Sequence, residues 1–202
     1  MSFVRPYAVA LRFTLLSTVV LGLGYPLVIT GVSAVIAPER SAGSLVENAD
    51  GEVVGSRLIG QSFTDSDGAA LPDYVQSRPS AAGDSYDASA SSGSNLGPEN
   101  PDLVAAIEER RAAIAELEGV AVEEIPADAV TTSSSGLDPH ISPEYAAIQV
   151  ERVAEARGVE PDVVRAVVEQ HTDGRGLGFL GEPTVNVLEL NLALDAEVPS
   201  RS

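Results

Sequence analysis

No charged side chain stands between Arg12 and Glu39. Residues 13–37, FTLLSTVVLGLGYPLVITGVSAVIA, form an uncharged, mostly apolar run of 25 residues. About 20 helical residues cross the hydrocarbon core of a bilayer. The run therefore reads as a retained transmembrane helix. A cleaved signal peptide is the competing reading. Its apolar region spans about 7–15 residues, and Pro38 directly follows Val35-Ile36-Ala37, the one stretch that could mark cleavage. The chain then divides into a short tail (1–12), a transmembrane helix (13–37), a linker (38–44) and a soluble domain (45–202). The fold class expected is α+β: one N-terminal transmembrane helix followed by a small mixed soluble domain.

Within the span, Ala10, Ser17, Gly24 and Gly31 recur every seven residues. Small residues on one face let a second membrane helix approach closely. Ser17, Gly24 and Gly31 are the expected packing positions, and Pro26 is where the register could break. Arg5 and Arg12 precede the span, and one Arg, Arg40, follows it closely. Basic residues stay on the cytoplasmic side, so the N-terminus is expected inside and the soluble domain outside the cell membrane.

Charge limits what that domain can do. The 202 residues carry a net charge of -18, and every one of the 12 basic residues is Arg. A surface this acidic repels nucleic acid. The absence of Lys removes a P-loop lysine and a Schiff-base nucleophile. The absence of Cys removes thiolate chemistry, disulfides and zinc-thiolate sites.

The soluble part has clear start signals. Asp50-Gly51 reads as a turn between Leu45-Val46 and Val53-Val54. Residues 62–96 are rich in Ser, Gly, Asp and Ala and read as a long loop, ordered or flexible. Asn100-Pro101-Asp102 opens a helix with an apolar stripe of Leu103, Ile107, Ile114 and Leu117. Ser142-Pro143 opens a second, which buries Tyr145, Ile148, Val150 and Val153 and ends at Gly158. Pro161 opens a third, with Val163, Val164, Val167 and Val168 on its apolar face. The glycine-rich stretch TDGRGLGFLG (172–181) follows. The tail VNVLELNLALD fits a strand in part and a helix capped by Asn186 better.

The chemistry visible is sparse. His140 and His171 are the only histidines, each at a helix boundary, where capping or surface roles are expected. Asp65, Asp67 and Asp73 lack the spacing of an EF-hand. No metal bound by this chain is expected, and no catalytic residue is assigned. The Ser/Gly stretch 91–95 before Asn100 could hold an anion at a helix start. Pro98 and Pro101 remove two donors there, while Glu99 and Asp102 add negative charge, so a structural corner is the better reading.

Six strings, in order along residues 20–195, resemble the C subunit of the Kdp high-affinity potassium pump of bacteria and archaea. They are GLGYP (22–26), GSRLIGQSF (55–63), YVQSRPSA (74–81), SGSNLGP (92–98), SSSGLDPHISP (133–143) and VNVLELNLALD (185–195). The resemblance implies a single-span, non-catalytic subunit of a P-type ATPase complex. It implies three partners: a potassium-translocating subunit, a P-type ATPase subunit and a small one-helix subunit, all within membrane lipid. It also implies a catalytic chaperone that raises the ATP affinity of the ATPase subunit, with ATP held only in their joint complex. An ABC-signature-like loop is ascribed to the family. The region matching it contains Ser134, Ser135 and Gly136, with Gln149 on the next helix. An outward domain cannot touch cytoplasmic ATP, so this role and the charge-derived topology conflict in their simplest forms. A membrane-anchored extracytoplasmic enzyme or binding module is the alternative to a pump subunit.

Overall fold

A computed structural model describes residues 4–199, which divide into two compact units, the first ending at Leu45 and the second beginning at Val46. The first unit is dominated by α1 (Val4–Ile36), which is long and apolar enough to cross a membrane. It extends N-terminally past the uncharged run, so Arg5 and Arg12 lie within it. Pro26 does not break α1. Residues Thr18–Gly24 widen into a π-helix, and the Tyr25 N–H donates to Val20 O, five residues back. Pro26 lacks an N–H, and its ring clashes with the carbonyl four residues earlier in a regular α-helix. The widened turn just before it relieves that clash.

The widening changes the register. Seven residues make about two turns of α-helix, but roughly one and a half turns where bonds reach five residues back. Gly24 and Gly31 stay in line, because Tyr25–Ile36 is α-helical. Ser17 rotates away from them. A helix approaching Gly24 and Gly31 does not meet Ser17 on the same face. A single helical turn, α2 (Pro38–Ser41), follows.

In the second unit, β1 (Leu45–Glu47) and β2 (Val53–Ser56) form a two-stranded sheet. Their turn is shaped by Asn48, whose side-chain oxygen accepts from Asp50 N and Glu52 N. Four helices and a three-stranded sheet build the core around the C-terminal half. They are preceded by α3 (Pro101–Glu118) and the short α4 (Ala127–Val130). The core helices are α5 (Pro143–Ile148), α6 (Val150–Arg157), α7 (Pro161–Gln170) and α8 (Val187–Glu197). The strands β3 (His140–Ile141), β4 (Thr172–Asp173) and β5 (Thr184–Asn186) lie in the order β3–β5–β4. Both pairings are antiparallel: Ile141 faces Val185 on one side, and Thr172 faces Val185 on the other. Val150, Val153, Val164, Val185, Leu190 and Leu194 are fully buried at the centre.

The caps form as the sequence suggests. Asn100, Ser142 and Asn186 each accept a backbone N–H of the following helix. Gly158 closes α6 in the left-handed region, at φ 66°. The tail 185–195 is both things in turn, since β5 ends at Asn186 and α8 starts beside it. Three details differ from the expected pattern. The second helix is two helices meeting at Gln149. Val163 faces solvent. Leu117 is exposed, and its neighbour Glu118 is buried instead. Glu118 goes inside because Arg152 meets it there, Nε to carboxylate oxygen at 2.9 Å. Burial pushes the Glu118 carboxyl above its ordinary range, against the pull of Arg152.

Residues 57–99 contain little regular structure but are ordered by side chains. Asn191 of α8 accepts from Val75 N and donates to Val75 O, both at 2.9 Å. Gln149 does the same for Gln76, accepting its N–H at 2.7 Å and donating to its carbonyl at 3.2 Å. Each amide stands in for the missing strand of a sheet. Arg157, wholly buried, donates to Asp73 O, Val198 O and the Asp195 carboxylate, and lies over the Tyr74 ring.

Truncating the buried Arg157 side chain leaves the Asp73 and Val198 carbonyls unpaired and opens a cavity, a loss of about 3–5 kcal/mol. A 1 kcal/mol loss lowers Tm by about 2–4 °C at this chain size. Arg157→Ala is therefore expected to lower the melting temperature by roughly 10 °C. Thermal unfolding of the full chain in detergent, followed by circular dichroism, checks it.

Candidate functional site

Two loops from distant parts of the sequence are sewn together at one surface. The first is the turn over residues 133–136. Ser133 Oγ accepts from Gly136 N at 2.9 Å, and Ser135 Oγ accepts from Leu137 N at 3.1 Å. Gly136 sits at φ 69°, where an L side chain is strained. A Cβ there would also lie 2.6 Å from Ser92 O and 2.7 Å from Ala82 N. The second loop supplies those neighbours. Ser92 N and Ser91 Oγ both donate to Ser135 O, at 2.9 Å. Ser80 Oγ donates to Gly136 O at 2.7 Å and accepts from Ala82 N and Tyr86 N. Tyr86 in turn donates its hydroxyl to Arg78 O at 2.6 Å, and burial pushes that phenol up to about 12.

The Ser/Gly stretch 91–95 is thus seam material. It runs close against backbone: a Cβ on Gly93 would meet Ser134 O at 2.9 Å. The helix start behind it is served by Asn100, whose side chain accepts from Asp102 N at 2.8 Å.

Beside the seam, Arg78, Asp138 and His140 form a charged cluster that sequence reading did not assemble. Arg78 Nη1 donates to Asp138 Oδ2 at 2.9 Å, while Nε and Nη2 donate to Thr131 O. Asp138 Oδ1 accepts from His140 N at 3.0 Å and lies 3.3 Å from His140 Nδ1. The signal was present: an Asp two residues before a His, in DPH. The Arg lies 60 residues away and could not be paired with them from the sequence. A cavity of about 430 Å³ opens next to the cluster, lined by Arg78, Asp128, Asp138, His140, Glu144 and Glu182 among others. Asp128 is already committed to Ser142, accepting from both its N–H and its hydroxyl. His171 is placed elsewhere, at the end of α7, with Nδ1 2.9 Å from Val167 O.

Of the four residues expected near ATP, Ser134, Ser135 and Gly136 lie together on the turn. Gln149 does not join them. It is completely buried, and its amide is bonded to Gln76, Tyr145 O and Arg152. Segment 76–80 separates the two groups, with Gln76 bonded to Gln149 and Ser80 to Gly136.

The family model described as "K+-transporting ATPase, c chain" matches residues 7–196. The chain belongs to this KdpC family. A potassium-transporting ATPase KdpC subunit of Kineococcus radiotolerans is 52% identical over 198 residues, covering 98% of this chain and 97% of that protein. One of Caulobacter vibrioides is 54% identical over 200 residues, covering 98% and 95%. One of Mycobacterium bovis is 50% identical over 187 residues, covering 92% and 95%. Membership makes the chain a membrane-anchored subunit of a potassium-transporting ATPase complex. In this chain, the seam and the Arg78–Asp138–His140 cluster lie side by side in the domain that follows the helix.

The cluster gives the domain a pH signature. The hydrogen bond to Asp138 raises the His140 pKa above its ordinary value, and the same bond lowers that of Asp138. The His140 contribution is complete below its unfolded value and is lost as pH rises through the raised folded value. The Asp138 contribution is present above its unfolded value and is lost as pH falls through the lowered one. The pair therefore stabilises most between the two ranges. Taking pH from about 6 to about 8, across the ordinary His range near 6.5, is expected to lower Tm. His140→Gln is expected to flatten that decline, as read by thermal unfolding across a pH series.

Proposed function

We propose that the chain is a non-catalytic subunit whose acidic domain lies outside the cytoplasm. There it covers the entrance of the potassium-translocating subunit and raises the local cation concentration through its field. The observation that carries this reading is the split of charge along the chain. Helix α1 contains Arg5 and Arg12 and no acid. Residues 46–202 contain all but one of the 30 Asp and Glu and only nine of the 12 Arg. Basic flanks stay on the cytoplasmic side, which sends the acidic domain to the other side. Its field acts within roughly 8–10 Å at physiological salt, so it works on an entrance that the domain directly covers.

In this reading the ATP chemistry belongs to the P-type ATPase subunit, and the small one-helix subunit completes the assembly. The chain supports that assembly. It acts as a catalytic chaperone by coupling through the complex, raising ATP affinity without touching nucleotide. ATP enters only in the complex with the ATPase subunit. Two features support indirect coupling. The Gln149 amide is already consumed by its own fold. The basic group beside the seam, Arg78, is engaged by Asp138. Ser134, Ser135 and Gly136 then shape a turn that partner subunits touch. The Gly24 and Gly31 face of α1 packs on a partner membrane helix.

Direct ATP contact requires the domain to be cytoplasmic, so sidedness separates the two mechanisms. The chain has no Cys, and Ser66 is exposed in a turn of the domain. Ser66→Cys is expected to react with a membrane-impermeant thiol reagent in intact cells. Labelling only after lysis would contradict the outward placement and restore direct nucleotide contact.

A further inference from the structure

The glycine-rich stretch between β4 and β5 is an ordered hairpin with an apolar tip. Leu177 is 85% exposed, more than any other large apolar residue described, including those of the membrane helix. Phe179 and Leu180 are 69% and 53% exposed. A soluble domain rarely collects large apolar side chains at one projecting point without a use for them. Here three fall within four consecutive residues.

The tip is held in shape. Gly176 and Leu180 exchange two backbone hydrogen bonds at 2.8 Å, and Gly178 N donates to Arg175 O at 3.0 Å. Arg175 and Glu182 form an ion pair across the base. Below them, β4 and β5 belong to the three-stranded sheet. Leu177 adopts φ 52°, a left-handed conformation that a branched apolar residue takes only under constraint. The loop therefore presents Leu177 and Phe179 in a fixed arrangement, and little ordering is needed when they are buried by a partner.

Charge decides what that partner is. Between Arg175 and Glu182 the tip has no ionisable group, so it can enter an apolar pocket without stranding a charge. Its foot carries exposed Asp173, and the domain around it is strongly acidic. Anionic lipid and a second copy of this chain are both repelled by such a surface. An apolar pocket with an Arg/Lys rim is complementary to it.

We propose that the hairpin tip formed by Leu177, Phe179 and Leu180 is a docking plug. It seats in an apolar, basic-rimmed socket on another subunit of the potassium ATPase complex. This rests on family membership, and not on which side of the membrane the domain occupies.

The test uses the full chain assembled with its pump in cells, with a benzophenone amino acid replacing Phe179. Irradiation is expected to give an adduct with another pump subunit. The same probe at Leu58, which is 62% exposed but outside the hairpin, is expected to give at least tenfold less. Leu177→Asp with Leu180→Asp is expected to reduce the Phe179-position adduct at least tenfold with unchanged Tm, since both side chains face solvent. An adduct with lipid alone, with a second copy of this chain, or with nothing would overturn the proposal. So would an adduct that survives the double substitution, or a large fall in Tm. The Ser66→Cys labelling result is independent of all these outcomes, so failure here is distinguishable from failure of the topology.

Discussion

The domain depends on two buried amides. Residues 57–99 have almost no regular backbone pairing, and ordering a residue costs about 1–2 kcal/mol in backbone entropy alone. Asn191 and Gln149 anchor that long segment at consecutive positions, Val75 and Gln76, each by a reciprocal pair of hydrogen bonds. Gln149 sits where α5 and α6 meet, so the break between those helices is the geometry that turns its side chain toward residue 76. Everything that follows along the segment inherits its position from this anchor. Arg78 reaches Asp138, Ser80 reaches Gly136, and Ser92 reaches Ser135.

The same economy of side chains appears in the buried charges. With no Lys in the chain, every interior cation is a guanidinium, whose planar fork satisfies several acceptors at once. Arg152 holds Glu118, Gln149 and the carbonyls of Leu71, Pro72 and Tyr74. Arg157 ties residues 73, 195 and 198 together. Arg152 and Arg157 thus serve as internal connectors, while Arg57, Arg111, Arg165 and Arg175 stay at the surface among the solvent-facing carboxylates. The acidic exterior and the Arg-stitched interior are two sides of one composition.

Local signals were legible in the sequence, and long-range ones were not. Asn100, Ser142, Asn186 and Gly158 announced their helix boundaries because a cap is decided within a few residues. The corner before α3 was legible for the same reason. The clamps were not, because their partners lie 73 and 116 residues apart. Leu117 and Glu118 exchanged roles because an apolar stripe cannot reveal that Arg152 waits at the buried position. Gln149 stood out beside a family string, yet its amide proved to be a fixed part of the core. The exposed Leu177 and Phe179 were hidden inside a stretch whose glycines suggested only a loop. Pro26 was visible, whereas the π-helical turn that absorbs it and rotates Ser17 out of line depends on the backbone.

As proposed, this subunit is an electrostatic and mechanical partner of the pump, acting on potassium by charge and on ATP only at a distance. The most direct measurement is the potassium dependence of ATP hydrolysis by the assembled complex. It compares the native subunit with one in which the exposed Glu108, Glu109, Glu116 and Glu123 are all replaced by Gln. A several-fold higher potassium requirement is predicted at low ionic strength, disappearing at high salt as screening shortens the field. The KM for ATP is predicted to stay unchanged under both conditions. An unchanged potassium requirement together with a raised KM for ATP would contradict the proposed role.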